Sequence, residues 1–517
     1  MAFAKHRIIA SVAGILAPDW IVLIILVVIV VLPFWGIIPK PKNFPPGPPK
    51  WPIIGNMFQM KTDGYTHRKM SKWHKKYGEV VGFFVGEHPV VLISGVSAIK
   101  EGLGREDLSG RLGNKVLQIM NNGKRLGIVN TEGDVWKEQR TFVHHHLRQP
   151  NIGKCSQETI IHNEVKAILD DIEKMSGGSA TGYYQPVYFH DIFEGSMINI
   201  LWNVLSGGRY ERDDPAFKLL INSVNNFFRA NERTHRLIVL FPGLAQWHPF
   251  AAVKYEIRSL CETLFSLVEA MIYKHKKTIK HDDLRDFTDI YLKEIMEKQR
   301  SPGTSFNDQQ MTEICAEVLI GGADTTFATL TYAILFMVLF PDVQRKVQEE
   351  LDSKVGKERL PSLKDKERLP YTEATVQEVL RLSSIAALCV PHAPLTTEQA
   401  VNFRGYTIPK GTRVHFNFYD LHHDPRLWDE PDVLRPERHL DENGRFFHHT
   451  IMFPFSGGVR TCPGQELARN SIFLILASIL KRYTLRIPFG KPMPPVDPKP
   501  SVVLCPKRFE VKVQSRF

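Results

Sequence analysis

The sequence predicts a mainly α-helical protein with a smaller β portion, preceded by one N-terminal transmembrane helix. Most of residues 155–385 carry apolar residues at helical spacing, whereas strand-like alternation is confined to short stretches such as 79–93. Near the N-terminus, nineteen consecutive residues carry no charge. The 517 residues are 43% hydrophobic and include 31 Phe and 8 Trp, which excludes a disordered chain and allows a large core.

The transmembrane helix is predicted from Trp20 to Ile38, within an anchor of residues 1–38. At about 1.5 Å per residue, this stretch spans the roughly 30 Å hydrocarbon layer. A cleaved signal peptide is the alternative, but its apolar region is shorter and ends at small residues, whereas Pro33 and Trp35 stand here. A slight excess of lysine after the helix places the rest of the chain on the cytoplasmic side. Whether residues 8–17 extend the anchor stays open.

Residues 39–50 form a proline-rich segment, PKPKNFPPGPPK. Each proline fixes φ and lacks an N–H donor, so the segment favours an extended, stiff hinge, although an ordinary linker has the same composition. Residues 51–517 contain no repeat, no low-complexity tract and no second proline-rich linker, and are therefore predicted to form one domain.

Cysteine and charge content restrict the class of protein further. Six cysteines in 517 residues are too few for a disulfide framework, and none forms a CxxC pair. Together with the absence of Asn-x-Ser/Thr acceptors, they favour a reducing compartment. The net charge of +11 arises from 66 basic and 55 acidic residues, which describes a mixed exterior, so nucleic-acid binding is not expected.

The longest helical pattern runs from about Asn307 to Phe340, where Pro341 ends it. In its middle stands Gly321-Gly-Ala-Asp-Thr-Thr326. Two glycines cost about 2 kcal/mol of helix propensity relative to alanine, and the polar cluster needs hydrogen-bond partners within an apolar stretch. Either a ligand needs room there, or the helix is kinked and tightly packed.

A second unusual segment lies near the C-terminus, Phe453-Pro-Phe-Ser-Gly-Gly-Val-Arg-Thr-Cys-Pro-Gly464, just before a predicted helix over 465–480. Glycines allow such a loop to fold tightly beneath a flat ligand. A helix N-terminus stabilises the thiolate of a nearby cysteine, so Cys462 is a candidate soft ligand for a metal. A lone cysteine is otherwise most often a small buried apolar residue.

The pattern Phe455-x-x-Gly458-x-Arg460-x-Cys462-x-Gly464 resembles the haem-binding loop of the cytochrome P450 family. Four further motifs occur in that family's order. They are Trp136-x-x-x-Arg140, Gly321–Thr326, Glu378-Val-Leu-Arg381, and Pro436-Glu-Arg-His439, which resembles the PERF segment. The resemblance covers essentially the whole chain, including the anchor and hinge, and is similar to microsomal animal members. It implies the mixed α and β fold of that family.

The resemblance assigns a role to each motif. Cys462 would be the proximal thiolate of haem b, with Phe455 packed over the sulfur and Gly464 completing the loop. Partners for the two haem propionates would be Arg111, Trp136, Arg140, His392 and Arg460. A buried, structural charge network would consist of Glu378, Arg381 and Arg438. His439 departs from the aromatic residue usual in the family, which leaves the local packing open.

On the opposite face of the haem, Asp324 and Thr325 would supply protons for oxygen activation. This implies a monooxygenase that takes electrons from NADPH through cytochrome P450 reductase, with cytochrome b5 as a further partner, at the endoplasmic reticulum membrane. A haem-thiolate isomerase or dehydratase, and a haem-binding sensor or carrier, are the alternatives. The substrate is expected to be lipophilic: a steroid, an isoprenoid or fatty-acid hormone, or a xenobiotic.

Overall fold

The computed structural model describes Val27 and residues 40–516, except residues 53, 61–64, 114, 178–184, 238–247, 299–302 and 500–501. Helices outweigh strands in this part of the chain, which confirms the predicted class. The anchor predicted at Trp20–Ile38 lies outside the described residues. The helices are α1 (Met57–Met60), α2 (Thr66–Tyr77), α3 (Val96–Gly104), α4 (Lys115–Met120), α5 (Gly133–Arg148), α6 (Gln157–Met175), α7 (Phe189–Ser206), α8 (Pro215–Leu237), α9 (His248–Thr278), α10 (Phe287–Lys298), α11 (Asp308–Leu339), α12 (Pro341–Val355), α13 (Pro370–Ser383), α14 (Phe418–His422) and α15 (Gln465–Arg482).

The strands are short and pair into small sheets. They are β1 (Val80–Val85), β2 (His88–Ile93), β3 (Asn151–Ile152), β4 (Cys155–Ser156), β5 (Ala400–Phe403), β6 (Tyr406–Pro409), β7 (Arg413–Phe416), β8 (Tyr483–Arg486), β9 (Pro498–Lys499), β10 (Cys505–Pro506) and β11 (Lys512–Ser515). β1 and β2 form the antiparallel hairpin that the alternation over 79–93 predicts. β7 adds to β2 in parallel, and the pairs β3–β4, β5–β6, β8–β11 and β9–β10 are antiparallel.

The predicted hinge contacts this first sheet over the part that the structure describes. Residues 40–50 contain neither helix nor strand, as the prolines require. The Phe44 side chain is buried, with its ring centroid 5.5 Å from that of Phe84 on β1. The carbonyl of Pro46 accepts a hydrogen bond from Gly82 N–H (2.8 Å). Apolar burial and a backbone hydrogen bond therefore attach this segment to the globular part.

The long helix α11 follows the predicted pattern over 307–340 closely. Asn307 caps it, because its side chain accepts a hydrogen bond from Gln310 N–H (2.9 Å). Pro341 begins α12, since the residue before a proline disfavours helical backbone. By length and composition α11 could cross a membrane, but 72% of its most apolar window is buried inside the protein. It is therefore a core helix, with the largest apolar cluster around it.

Candidate functional site

The two unusual sequence segments meet at one cavity. It is lined by Thr325 and Thr329 of α11 and by Phe455 of the cysteine loop. Residues 384–386, just after α13, line a further side. The structure therefore places the predicted oxygen-activating segment opposite the predicted haem-binding loop.

The Gly321–Thr326 segment is helical throughout, so the double glycine does not break α11. The Thr325 hydroxyl donates to the carbonyl of Gly321 (2.8 Å), which satisfies it without a kink. A Cβ on Gly322 would lie 2.8 Å from Leu201 Cδ2 of α7, whereas a Cβ on Gly321 would meet nothing within 4 Å. Gly322 thus serves helix packing, and Gly321 leaves space beside Thr325. The Asp324 side chain, in the same turn as Thr325, is half-buried.

The cysteine loop is held by its own backbone and by α3. Cys462 N–H donates to the carbonyl of Phe455 (2.9 Å), and α15 begins three residues later at Gln465. Gly458 has φ of +63°, and a Cβ there would lie 1.9 Å from the carbonyl oxygen of Leu103. Only glycine fits that combination of backbone angle and close contact.

The electrostatic setting of Cys462 differs from the sequence-based argument. Burial raises the pKa of the Cys462 thiol, while the Gly464 N–H and the Arg140 guanidinium act in the opposite direction. Burial therefore acts against the thiolate in the protein alone. A metal ion deprotonates a coordinating thiol outright, so binding of the metal and loss of the proton are coupled at this site.

A cluster of basic and aromatic side chains lies beside the loop. Arg460 donates to the carbonyls of Ser109 (2.9 Å), Ile128 (3.2 Å) and Thr131 (2.8 Å). Its guanidinium carbon lies 3.9 Å from the ring centroid of Trp136. These contacts fix Arg460 between α5 and the segment before it.

The remaining predicted propionate partners adjoin Arg460. Arg140 donates to the carbonyl of Thr461. Arg111 donates to the carbonyl of Pro391 (2.7 Å), and His392 Nδ1 donates to that of Val390 (3.0 Å). The structure therefore brings Arg111, Trp136, Arg140, His392 and Arg460 together, although up to 349 residues separate them in sequence.

This cluster fits an anionic group with two carboxylates. Burial, with Arg111 and Arg140 nearby, lowers the pKa of Arg460 to about 8, and burial lowers the pKa of Arg111 to about 10. Two buried donors, Arg111 Nε and Trp136 Nε1, have no hydrogen-bond partner among the described residues. Unpaired buried donors and undercompensated positive charge are both relieved by carboxylate oxygens. The residues present therefore fit the propionate side of haem.

The predicted charge network is present and has a fourth member. Glu378 forms a bidentate pair with Arg381 on α13, with two N···O distances of 2.8 Å, and both side chains are fully buried. Arg438 Nε lies 3.2 Å from Glu378 Oε1, and His439 Nε2 lies 2.8 Å from Oε2. Burial alone would raise the pKa of Glu378, but the bonds from Arg381 and His439 lower it to about 2.

Three side chains make contacts at the site that sequence reasoning did not predict. His439 stands in place of an aromatic residue and donates to Glu378. Arg469 lies over the Phe455 ring, 5.0 Å from its centroid, and bonds to Gln377, so it supports the loop. Glu317 accepts hydrogen bonds from residues 128–129. A carboxylate within an apolar helix was the signal that could have identified Glu317.

The apolar and aromatic region from about Phe217 to Phe250, which the sequence suggests as one of the segments that select the substrate, is only partly described. Phe227 is buried in the main core and Phe228 packs against it. The other apolar side chains expected there, from 237 to 250, lie outside the described side chains.

Comparison with known proteins agrees with this geometry. Residues 45–513 match the family model "Cytochrome P450". Farnesoate epoxidase of Bombyx mori is 30% identical over 477 residues, covering 92% of this chain and 94% of that protein. Human cytochrome P450 2J2 is 33% identical over 452 residues (87% of each chain), and mouse cytochrome P450 2U1 is 31% identical over 495 residues (92% and 91%). The chain belongs to the cytochrome P450 family, as a monooxygenase of the animal microsomal type whose cofactor is a thiolate-ligated haem.

Proposed function

We propose that this enzyme inserts one oxygen atom of O₂ into a lipophilic substrate, with electrons from NADPH supplied by cytochrome P450 reductase and cytochrome b5 as a second partner. The observation that carries the proposal is the cavity shared by Thr325 and Phe455, with the cysteine loop behind it. Haem bound through Cys462 supplies the oxygen-activating chemistry. The chain's own residues position it, exclude water and move protons.

Two roles on α11 follow from the contacts. Thr325 presents a hydroxyl at the cavity, and the space beside Gly321 admits a small molecule next to it. Asp324, in the same turn, carries protons from solvent toward that hydroxyl. This pair favours oxygen insertion over an isomerisation or dehydration, which needs no external electrons or protons.

The remaining assignments belong to the same proposal. Cys462 is the iron ligand, and Phe455 and Gly464 shape the loop around its sulfur. The propionates are held by the cluster of Arg111, Trp136, Arg140, His392 and Arg460. Residues 1–38 anchor the enzyme in the endoplasmic reticulum membrane, residues 39–50 are the hinge, and residues 51–517 form the cytoplasmic catalytic domain.

An isoprenoid is the substrate class that the comparisons favour. The name of the Bombyx mori relative states that it epoxidises farnesoate, and this chain covers 94% of that protein. Steroids, fatty acids and xenobiotics are the other members of a test panel.

Two experiments test the proposal. The reduced, carbon-monoxide-bound protein should show a thiolate-type Soret band that Cys462→Ala abolishes; a band that persists in Cys462→Ala refutes the ligand assignment. In turnover with NADPH and reductase, Thr325→Ala should lower product formation on the order of 100-fold. Thr331→Ala is the matched control. Like Thr325, Thr331 donates its hydroxyl to the carbonyl four residues before it, that of Phe327, but it is fully buried away from the cavity. Product formed without an electron donor would instead support the isomerase or dehydratase hypothesis.

A further inference from the structure

Two buried glutamates face the segment before α5 from the long helix. Glu313 and Glu317 lie one turn apart on α11, with 0% and 7% of their surfaces exposed. Carboxylates buried at this depth are costly unless hydrogen bonds or charges compensate them. Neither belongs to a motif considered above, so their partners indicate what they do.

The carboxylate of Glu317 binds backbone donors. Its Oε2 accepts from Ile128 N–H (2.6 Å), and both oxygens lie within 3.2 Å of Val129 N. The approach is close enough that a Cβ on Gly127 would lie 2.3 Å from the Glu317 carboxyl carbon. The glutamate therefore fixes the path of residues 127–129 against α11.

The same segment fixes Arg460. The carbonyl of Ile128 accepts from Arg460 Nη1 (3.2 Å), and the carbonyl of Thr131 accepts from Nη2 (2.8 Å). Thr131 is itself tied back to the carbonyl of Gly127 through its hydroxyl. Ile128 is thus bound at its N–H by Glu317 and at its carbonyl by Arg460. Any shift of this residue away from α11 moves the acceptors that orient the guanidinium.

The two glutamates differ in the hydrogen-bond partners of their carboxyl oxygens. Glu317 has backbone donors on both oxygens and Arg460 as a nearby positive charge, which oppose the rise in its pKa caused by burial and by Glu313. Glu313 accepts one bond, from Asn121 Nδ2 (2.7 Å), and its Oε1 has no partner among the described residues. Burial raises the pKa of Glu313 to about 7. Glu317 is therefore the carboxyl that the backbone of residues 128–129 binds at both oxygens, whereas Glu313 bonds to a single side chain.

We propose that Glu317 is a positioning residue for the propionate end of the haem, acting through Ile128 on Arg460. The proposal rests on the proposed function, in which Arg460 binds a propionate. Three of the five guanidinium N–H groups of Arg460 are used by backbone carbonyls, so the segment that Glu317 holds determines where the other two point.

The test is the rate at which the purified holoenzyme loses haem to excess apomyoglobin. Glu317→Ala should raise this rate about tenfold and Glu317→Gln about threefold, because the amide keeps one acceptor oxygen. Glu313→Gln should leave it within twofold, because the bond of Glu313 goes to Asn121 and not to the segment that binds Arg460. Glu164→Ala controls for general destabilisation, because Glu164 is a buried carboxylate on α6 that pairs with Arg209 and Arg212.

A double-mutant cycle separates positioning from general stability. In an Arg460→Ala background, Glu317→Ala should change the haem-loss rate less than twofold, since the group through which it acts is gone. An equal effect in both backgrounds, or a wild-type rate in Glu317→Ala, would overturn the proposal. The reduced carbon-monoxide spectrum of the wild type distinguishes a failure of the proposed function from a failure of the proposal about Glu317. If the spectrum lacks the thiolate-type band, the proposed function fails, whatever Glu317 does. Should Glu317→Ala not accumulate as folded protein, the cycle with Glu317→Gln decides.

Discussion

Removing the charge of Glu378 should destabilise the protein by about 3 kcal/mol at pH 7. The Glu378 side chain is fully buried and pairs with Arg381, Arg438 and His439. These contacts lower its pKa from 4.5 to about 2. At about 1.4 kcal/mol per pKa unit, this lowering means that the folded protein favours the ionised over the neutral form of Glu378 by about 3 kcal/mol more than the unfolded chain does. Glu378→Gln keeps the shape and removes the charge, so it should lose this amount. The estimate agrees with the roughly 3–5 kcal/mol typical when one partner of a buried ion pair is removed.

The assay is urea unfolding followed by tryptophan fluorescence, at pH 7 and at pH 3. Because the folded-state pKa is lowered, the stabilisation is complete above pH 4.5 and is lost as the pH falls toward 2. The difference between wild type and Glu378→Gln should therefore shrink to about 1 kcal/mol at pH 3. Exposed Glu358→Gln is the control and should change little at either pH. A difference below 1 kcal/mol at pH 7, or one that is the same at both pH values, would refute this account of the network.

Three further predictions concern the same region. Gly458→Ala should lower the free energy of unfolding by more than about 1 kcal/mol, because Gly458 has a positive φ and the new Cβ would lie 1.9 Å from a carbonyl oxygen. Gly464→Ala is the control and should change it by under about 0.5 kcal/mol, because its Cβ would meet nothing within 4 Å. Urea unfolding measures both changes. His439→Phe should cost about 1 kcal/mol in the same assay by removing a donor to Glu378, and His439→Gln should restore part of it; equal losses would contradict a role for the N–H group. Trp136→Phe keeps the stacked ring but removes an unpartnered N–H, so haem loss to apomyoglobin should become about fivefold faster, and an unchanged rate would argue against a propionate contact.

Sequence patterns predicted the parts of the site that depend on fixed spacing. The Glu378–Arg381 pair lies one helical turn apart, so its contact follows from the spacing once a helix is predicted. Asn307 and Pro341 mark the ends of the long helix by local rules of capping and proline geometry. The glycines around Cys462 likewise indicate a tight loop without knowledge of its neighbours.

Contacts across long sequence separations could not be predicted in this way. Glu317 and Ile128 are 189 residues apart, and no local pattern states which backbone donors a buried carboxylate will meet. The bond between His439 and Glu378 joins residues 61 positions apart, and sequence alone showed only that His439 was unusual. Burial raises the pKa of the Cys462 thiol, and burial depends on the packing around the loop, which the local sequence does not show.

The order in which the chain is synthesised has a consequence for the arginine cluster. Arg460 is bonded to the carbonyl of Ser109, a residue that leaves the ribosome 351 positions earlier. At roughly 5–20 residues per second, this interval is on the order of 20–70 s. During that time the carbonyls of Ser109, Ile128 and Thr131 lack the Arg460 guanidinium that they bind in the folded protein. Nascent chains stalled before Arg460 should therefore expose residues 109–131 to proteases, and haem should be captured only near the end of translation.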